Sequence, residues 1–419
     1  MAHPTQAVIL AGGRGARMAP LTDTRPKPMI EIHGKPFLEY LIEMLRDRGI
    51  NRILLLLGYL PEVVQQYFED GSRWGIKIEY SVTPIENETG PRLKAAMSKL
   101  DSYFLLMYCD NYWPMPIDKM WSHFSEAKVA EAKLLAMITI YSNTDGYTTN
   151  NVRVSEDGYV TQYVKGTQNG DLQGVEIGYA FLSKTVVEML PESNVSFETT
   201  IYPRIAEQHQ MLAYVTNHRY YSIGSYRRLP LTEAFFKRVP TVLVDRDGVL
   251  NKKPPRAEYV RTWANFEWLP GAQAALKLFH DAGYRVIVVS NQAGIARGAM
   301  TEADLAAIHD RMKEEAVQAG GRIDAIYHCP HGWDDNCDCR KPKPGMLFQA
   351  QREHHLDLTR THFIGDDERD AEAADAAGCT PLLLSNNESL LDAARTVIAR
   401  EQTQKDSITS SAKIRQALH

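Results

Sequence analysis

Two passages in this chain share one layout: a short β-prone apolar run, a glycine-bearing turn, then a helix pattern. One begins at Ala7 in "AVILAGGRG", the other at Thr241 in "TVLVDRDGVLN". After each, apolar runs alternate with helical segments. In the first half "PFLEYLIEMLRDRG" reads as a helix closed by Gly49. "RILLLLGY" is a strand, "PEVVQQYFED" a helix with Pro61 at its start, and "KIEYSV" and "YFLLMYCDN" are further strands. In the second half "GAQAALKLFHDAG", "EADLAAIHDRMKEEAVQAG", residues 345–354 and "AEAADAAG" read as helices. They are interleaved with the strands "RVIVVSNQ", "AIYHC", "THFIGDD" and "PLLLS". Strands alternating with helices build a parallel sheet covered by helices, because parallel neighbours need a crossover between them. The expected fold is therefore α/β with two Rossmann-like parallel-sheet domains, at 1–235 and 240–400, and a flexible polar tail at 401–419.

Length and charge agree with two domains and narrow the chemistry. The chain has 419 residues, too many for one ordinary domain. A net charge of -5 supplies no basic excess for nucleic-acid phosphates. No apolar run reaches the ~18–20 residues needed to span a bilayer, and five cysteines do not make a disulfide framework. The expected location is the cytoplasm.

In the second half, Asp245 and Asp247 follow a strand one residue apart. There one carboxylate can attack phosphorus while the other passes a proton to the leaving oxygen. Gly248 serves the turn. Ser290 with Asn291, Arg340 with Lys341, and Asp366 with Asp367 follow in order, most of them at carboxyl ends of strands, where open α/β sheets gather their sites. A hydroxyl and an ammonium suit phosphate oxygens, and a carboxylate group suits Mg²⁺. A solvated turn is the plain alternative for "DRDG" alone. Cys329, His331, Cys337 and Cys339 form C-x-H-x₅-C-x-C, a complete tetrahedral set of three thiolates and an imidazole, which predicts structural zinc. Cys109 and Cys379 read as core, and His354–His355 as a helix face.

These residues resemble the haloacid dehalogenase superfamily. "DRDGVLN", "NQAGIARG", "CPHGWDDNCDCRKPKPGM" and "GDDERDAEAA" are similar to the D-glycero-D-manno-heptose 1,7-bisphosphate 7-phosphatases over about 241–385. The resemblance implies Asp245 as nucleophile, Asp247 as general acid/base, and Ser290, Asn291, Arg340 and Lys341 around phosphate. It implies Mg²⁺ on Asp245, the Asp247 carbonyl and Asp366. Histidinol-phosphate phosphatases share the cysteine loop and are the neighbouring alternative.

In the first half, Gly12, Gly13 and Gly15 let backbone N–H groups approach an anion, with Arg14, Arg17 and Lys27 nearby. A tight turn is the plain alternative. "LAGGRGARMAPLTDTRPKPM", followed by "IHGKPFLEYLIEML", resembles sugar-1-phosphate nucleotidyltransferases over about 6–230, especially those that activate mannose or heptose. The resemblance implies that the glycine loop and Arg17 hold an NTP and that Lys27 holds the reacting phosphates. It implies Mg²⁺ on Asp110, the sugar phosphate on Lys165 and sugar hydroxyls on Glu198. Three positions depart from that pattern. The nucleotide loop reads "TGPRLK", Thr199 stands where a lysine is usual, and Ser222 in "SIGS" stands where a second metal-binding aspartate is expected. The leading expectation is a bifunctional enzyme: dephosphorylation of a heptose 1,7-bisphosphate, then nucleotidyl transfer, most simply from GTP. The alternatives are a phosphatase with a degenerate binding domain, or a histidinol-phosphate phosphatase joined to a nucleotidyltransferase.

Overall fold

The computed structural model describes residues 3–165, 172–255, 258–385 and 387–417, with side chains described as far as residue 403. The chain forms two compact units, Met1–Phe236 and Lys237–His419.

The first unit is built on seven strands: β1 (Gln6–Ala11), β2 (Arg52–Leu57), β3 (Lys77–Val82), β4 (Tyr103–Tyr108), β5 (Ala136–Tyr141), β6 (Val175–Ser183) and β7 (Met211–Thr216). They lie in the order β7-β5-β6-β4-β1-β2-β3. Strand β1 is central, parallel to β2 and β4, and buried at every position. Its side chains alternate between two cores: Ala7, Ile9 and Ala11 enter one, Val8 and Leu10 the other. Helices α1 (Phe37–Asp47), α2 (Pro61–Phe68) and α4 (Ile117–Ala130) cover the first face. Helices α3 (Thr89–Ala95) and α5 (Phe197–Glu207) cover the second. The run "RILLLL" needs no alternation because both of its faces are covered.

The sheet is mixed rather than parallel throughout. Strand β6 runs antiparallel to both β4 and β5. The segment from β5 to β6 carries turn residues ("SNTDG", "SEDGY") and a two-stranded ribbon, Val152–Val154 with Val160–Tyr163, in place of a crossover helix among the described residues. Without that crossover the chain returns beside the strand it left, and the pair is antiparallel.

The second unit has five strands, all parallel: β8 (Thr241–Val244), β9 (Arg285–Asn291), β10 (Ala325–Cys329), β11 (His362–Gly365) and β12 (Thr380–Leu383). The order is β10-β9-β8-β11-β12. Chain order proceeds outward on one side of β8 and resumes on the other, so a crevice opens at the carboxyl end of β8. Helices α6 (Ala272–Asp281), α7 (Glu302–Gln318), α8 (Gly345–His354) and α9 (Glu368–Ala377) alternate with the strands. The last helix, α10 (Leu390–Ala417), buries Leu390, Ala393, Ala394 and Val397 in the core that holds α6. The segment expected as a flexible tail continues this helix to Ala417. It contains neither glycine nor proline, so nothing local stops the helix started by the packed residues.

Two candidate active sites

In the second unit, Asp245 emerges at the end of β8 and is buried. Lys341 reaches it from the cysteine loop with Nζ 2.9 Å from Asp245 Oδ1, and is itself only 3% exposed. The same ammonium lies 2.6 Å from Asp370 Oδ1 and donates to Val289 O at 2.9 Å. Burial pushes the Asp245 carboxyl up; Lys341 opposes this, while the charges of Asp370 and Asp247 add to it. Asp247 behaves in the opposite way. Burial also pushes it up, but Arg246, Asn251 and Gln292 outweigh that and hold it below the ordinary carboxylate range. One turn therefore carries two carboxylates in contrasting environments: without substrate, burial favours the protonated form of Asp245 and Arg246 favours the ionised form of Asp247.

Ser290 and Asn291 sit at the end of β9. Ser290 is buried, and its Oγ accepts from Gln292 Nε2 at 2.8 Å. Asn291, expected at the phosphate, has its amide on the backbone of Lys341. Its Oδ1 accepts from Lys341 N and its Nδ2 donates to Lys341 O, both at 3.0 Å. Asn291 also lines the cavity described below, and these bonds tie it to the backbone of the residue that carries the ammonium. Arg340 donates to His331 O at 3.2 Å. Arg340, Lys341, Ser290, Asp247 and Asp245 share a cavity of about 390 Å³ with Trp333 and Arg369.

Carboxylate oxygens of Asp245, Asp366 and Asp370 lie within 4.8 Å of one another. Asp366 Oδ1 is buried with no hydrogen-bond partner, while Oδ2 takes Lys253 Nζ at 2.8 Å. An all-oxygen donor set with an unmatched buried lone pair fits a hard divalent cation. The Asp247 carboxylate is not in this group; it is committed to Arg246. Asp367, also singled out by the sequence, caps α9 and pairs with Arg369.

Asp370, Arg246, Gln292 and Lys253 were missed by sequence reasoning. For Asp370 there was a signal: it stands four residues after Asp366, in the first turn of α9, where it completes a capping box with Asp367. There it accepts from the N–H groups of Asp366 and Asp367 at 3.2 and 3.3 Å.

The cysteine loop draws its four ligand atoms together. The three Sγ–Sγ separations are 3.6, 3.2 and 3.5 Å, and His331 Nδ1 lies 3.6 and 3.2 Å from Cys329 and Cys339. These exceed the roughly 2.05 Å of a disulfide. They approach the ~3.8 Å edge of a tetrahedron with metal–sulfur bonds of about 2.3 Å, so the donors fit zinc. Cys109 is partly buried and Cys379 buried, both against the cores.

In the first unit, Asp110 follows β4 and forms an ion pair with Lys27. Burial pushes its carboxyl up, but Lys27 and then Arg17 bring it below the ordinary range. Gly15 has φ +69°, and a Cβ there would lie 2.9 Å from Lys27 Cβ. The backbone thus needs glycine both for its conformation and for the approach of the lysine. Gly13 faces open space, whereas a Cβ on Gly12 would strike the Arg92 guanidinium at 2.4 Å. Arg92 belongs to the altered "TGPRLK" segment, which was expected as a loop and forms the helix α3. It donates to Leu57 O (2.9 Å), Thr83 Oγ1 (2.7 Å), Ile85 O (3.1 Å) and Gly12 O (3.3 Å). In this chain that segment clamps the glycine turn to the end of β2.

Ser222 pairs with Asn111 across a two-residue ladder, and Ile223 N donates to Asp110 O at 3.0 Å. Its side chain is buried and accepts from Gly224 N at 3.0 Å. Beside Asp110, then, stands a hydroxyl with an internal partner. The grouped metal ligands among the described residues all lie in the second unit. Glu198, in the first turn of α5, accepts from Thr89 Oγ1 at 2.9 Å and Ser196 Oγ at 2.7 Å. Nearby Glu176 is pushed up to about 8 by burial, against a hydrogen bond from Gly178 N, with the Glu198 charge adding to the rise. Lys165 is exposed, and its charge acts on Glu176.

These two arrangements define a phosphoryl-handling enzyme with two separate sites. The Nucleotidyl transferase family profile matches residues 6–234, more than half of the chain, and the HAD-hydrolase-like profile matches residues 338–409. A D-glycero-beta-D-manno-heptose-1,7-bisphosphate 7-phosphatase from Pseudomonas aeruginosa is 41% identical over 149 residues, covering 36% of this chain and 83% of that protein. The crystal structure of D,D-heptose 1,7-bisphosphate phosphatase from B. bronchiseptica with magnesium and phosphate is 36% identical. It covers 38% of this chain and 99% of its own, with a TM-score of 0.36. HddC from Yersinia pseudotuberculosis, complexed with GMP-PN, is 26% identical over 55% of this chain and 99% of its own, with a TM-score of 0.46. The chain belongs to the nucleotidyl transferase family through its first unit and to the heptose-bisphosphate 7-phosphatase family through its second. No helix among the described residues is long and apolar enough to cross a membrane.

Proposed function

We propose that the two units catalyse successive steps on one sugar. The second removes the C7 phosphate of D-glycero-D-manno-heptose 1,7-bisphosphate. The first transfers a nucleotidyl group, GMP from GTP, to the 1-phosphate that remains. The observation that supports the first step is the convergence of Asp245, Lys341, Asp370 and Asp366 at the switch point of a parallel sheet.

The chemistry follows from the groups present. Asp245 attacks the C7 phosphorus through one carboxylate oxygen. Asp247 takes part as an acid and so carries a proton in the substrate complex; as the bond from phosphorus to the sugar oxygen breaks it gives that proton to the oxygen, leaving a phosphoaspartate, a free hydroxyl and the Asp247 carboxylate. Water then attacks the phosphoaspartate while the Asp247 carboxylate takes its proton, releasing phosphate and restoring the Asp245 carboxylate and the Asp247 acid. Lys341 and the Ser290 hydroxyl hold the phosphoryl oxygens, with Arg340 at the mouth of the cavity. Mg²⁺ on Asp245, Asp366 and the Asp247 carbonyl would neutralise phosphoryl charge. Zinc on Cys329, His331, Cys337 and Cys339 would fix the loop that delivers Arg340 and Lys341.

In the first unit, the Gly12–Gly15 turn and Arg17 receive the triphosphate. Lys27 holds the reacting phosphates, and Lys165 and Glu198 take the sugar phosphate and its hydroxyls. An oxygen of the 1-phosphate bonds to the α-phosphorus as pyrophosphate leaves, so the protein's contribution is positioning and charge. Asp110 would hold Mg²⁺, which would neutralise charge on the triphosphate. A free thiolate set and an NTP requirement suit the cytoplasm. The test is to incubate the purified chain with heptose 1,7-bisphosphate, Mg²⁺ and each NTP in turn, following phosphate and pyrophosphate. Phosphate with all nucleotides and pyrophosphate with GTP is expected. Phosphate without pyrophosphate from any NTP supports instead a phosphatase carrying a nucleotide-binding domain, the outcome Ser222 would favour.

A further inference from the structure

Behind Asp247 lies a closed ring of polar side chains that phosphate binding and attack do not use. The Arg246 side chain is buried, 1% exposed. It donates to Asp247 Oδ1 through Nε (3.2 Å) and Nη2 (3.0 Å), and to Oδ2 through Nη2 (2.9 Å). Nη2 also donates to Gln292 Oε1 at 3.0 Å. Gln292 Nε2 donates both to Asp247 Oδ2 (2.9 Å) and to Ser290 Oγ (2.8 Å). Asn251 Nδ2 adds a bond to Asp247 Oδ1 at 2.9 Å. On the far side, His309 Nε2 stands 3.4 Å from Arg246 Nη1. Burial, and then the Arg246 charge, push His309 down to about 3, so it is neutral and can accept from the guanidinium.

Burying a guanidinium is expensive, and a well-packed apolar side chain often serves stability as well. Here its fork is spent on a single carboxylate, whose own side chain remains 18% exposed. Asp247 Oδ1 has three donor contacts and Oδ2 two, which fixes the rotation of the carboxylate. The anchored oxygen is Oδ1, and Oδ2 is the less encumbered. Gln292 ties that orientation to the Ser290 hydroxyl, coupling the proton-transfer group to a phosphate ligand.

We propose that Arg246 and Gln292 are positioning residues that hold Asp247 for proton transfer to the departing sugar oxygen. This rests on the phosphatase reading above, in which Asp245 attacks phosphorus and Asp247 protonates the leaving group. The separating readout is the leaving group. A sugar alkoxide needs a proton as it departs, whereas the phenolate of p-nitrophenyl phosphate does not. General acid catalysis is worth about 10²–10⁴-fold where it is needed. The full chain and its Arg246→Met, Gln292→Met and Asp247→Asn variants are assayed with heptose 1,7-bisphosphate and with p-nitrophenyl phosphate.

Arg246→Met is expected to lower kcat on the sugar about 100-fold with KM within about 3-fold, and to lower the aryl ester less than about 5-fold. Gln292→Met gives the same split at about 10-fold, and carries the test if Arg246→Met does not fold. Adding Arg246→Met to Asp247→Asn costs nothing further, because the two act through one proton transfer. Equal losses on both substrates, or losses that add in the double variant, overturn the proposal in favour of a structural role. Asp245→Asn separates the two readings: if it keeps its activity, the nucleophile assignment fails, whatever the clamp variants do.

Discussion

The two sites handle phosphoryl groups with different amounts of protein. In the second unit the proposed nucleophile is already surrounded: Lys341 between Asp245 and Asp370, Asp366 beside them, and Asp247 clamped from behind. In the first, one carboxylate faces one lysine, and a hydroxyl stands where a second acid is expected. The difference follows from the chemistry. A covalent aspartyl phosphate needs a nucleophile, a proton carrier and a counter-charge fixed before substrate arrives. In nucleotidyl transfer the nucleotide carries the leaving group and coordinates much of its own metal, so a glycine turn and a few cations suffice.

The comparison is broken most severely by removing the central carboxylate of each site in turn. Asp245→Asn should lower phosphate release by at least about 10⁴-fold and leave pyrophosphate release from heptose 1-phosphate and GTP unchanged. Asp110→Ala should do the reverse. Parallel assays of the two products check both, and loss of both activities in either variant would mean that the sites are not independent.

A smaller effect is expected from the cysteine loop. Cys337→Ser leaves three ligands and should lower phosphatase turnover roughly 10-fold by loosening Lys341, with nucleotidyl transfer untouched. Metal analysis of protein purified without added metal should give one zinc per chain. Full phosphatase activity in zinc-free protein would remove that role.

Ser222→Asp sharpens the contrast from the other side. If the sparse front site draws its metal ligands from nucleotide and water, restoring a carboxylate beside Asp110 should lower the Mg²⁺ needed for half-maximal pyrophosphate release about 3-fold. An unchanged requirement would show that position 222 does not reach the metal.

The smallest effect concerns Glu176, to which this scheme assigns no chemical role. Its folded pKa of about 8 exceeds the ordinary 4.5, so the fold favours the neutral acid. The stability it allows is complete below the unfolded value and declines as pH rises from about 4.5 towards 8. Glu176→Gln keeps the neutral form, so melting of the first unit should become flatter across that window and gain about 3 °C at pH 8. A variant with the same slope as the parent would show that Glu176 is charged in the fold.

Much of this contrast was legible in the sequence, and unequally so. Strand ends followed by Asp245, Ser290 and Asp366 are local signals, because a parallel sheet delivers such residues to one edge. The cysteine loop was legible because its four ligands fall within eleven residues. Asn291 was placed at the phosphate by resemblance, and the geometry adds that its amide bonds the backbone of Lys341. Arg246 carried no signal in the sequence, since its partners Gln292 and His309 come from distant segments. The antiparallel β6 was hidden because "VEIGYAFLS" is buried at every position and looks the same in either direction. Arg92, read as a departure in a nucleotide loop, gained its meaning from carbonyls contributed by three other segments.

The claim that the two sites act in sequence on one molecule is tested most directly by the order of product release. The unmodified chain, given heptose 1,7-bisphosphate, GTP and Mg²⁺, should release phosphate first and then an equal amount of pyrophosphate. The Asp245→Asn chain should release neither from the bisphosphate, yet form pyrophosphate at the parent rate when given heptose 1-phosphate. Pyrophosphate from the bisphosphate in the Asp245→Asn chain, or phosphate without pyrophosphate from any NTP in the parent, would contradict the account.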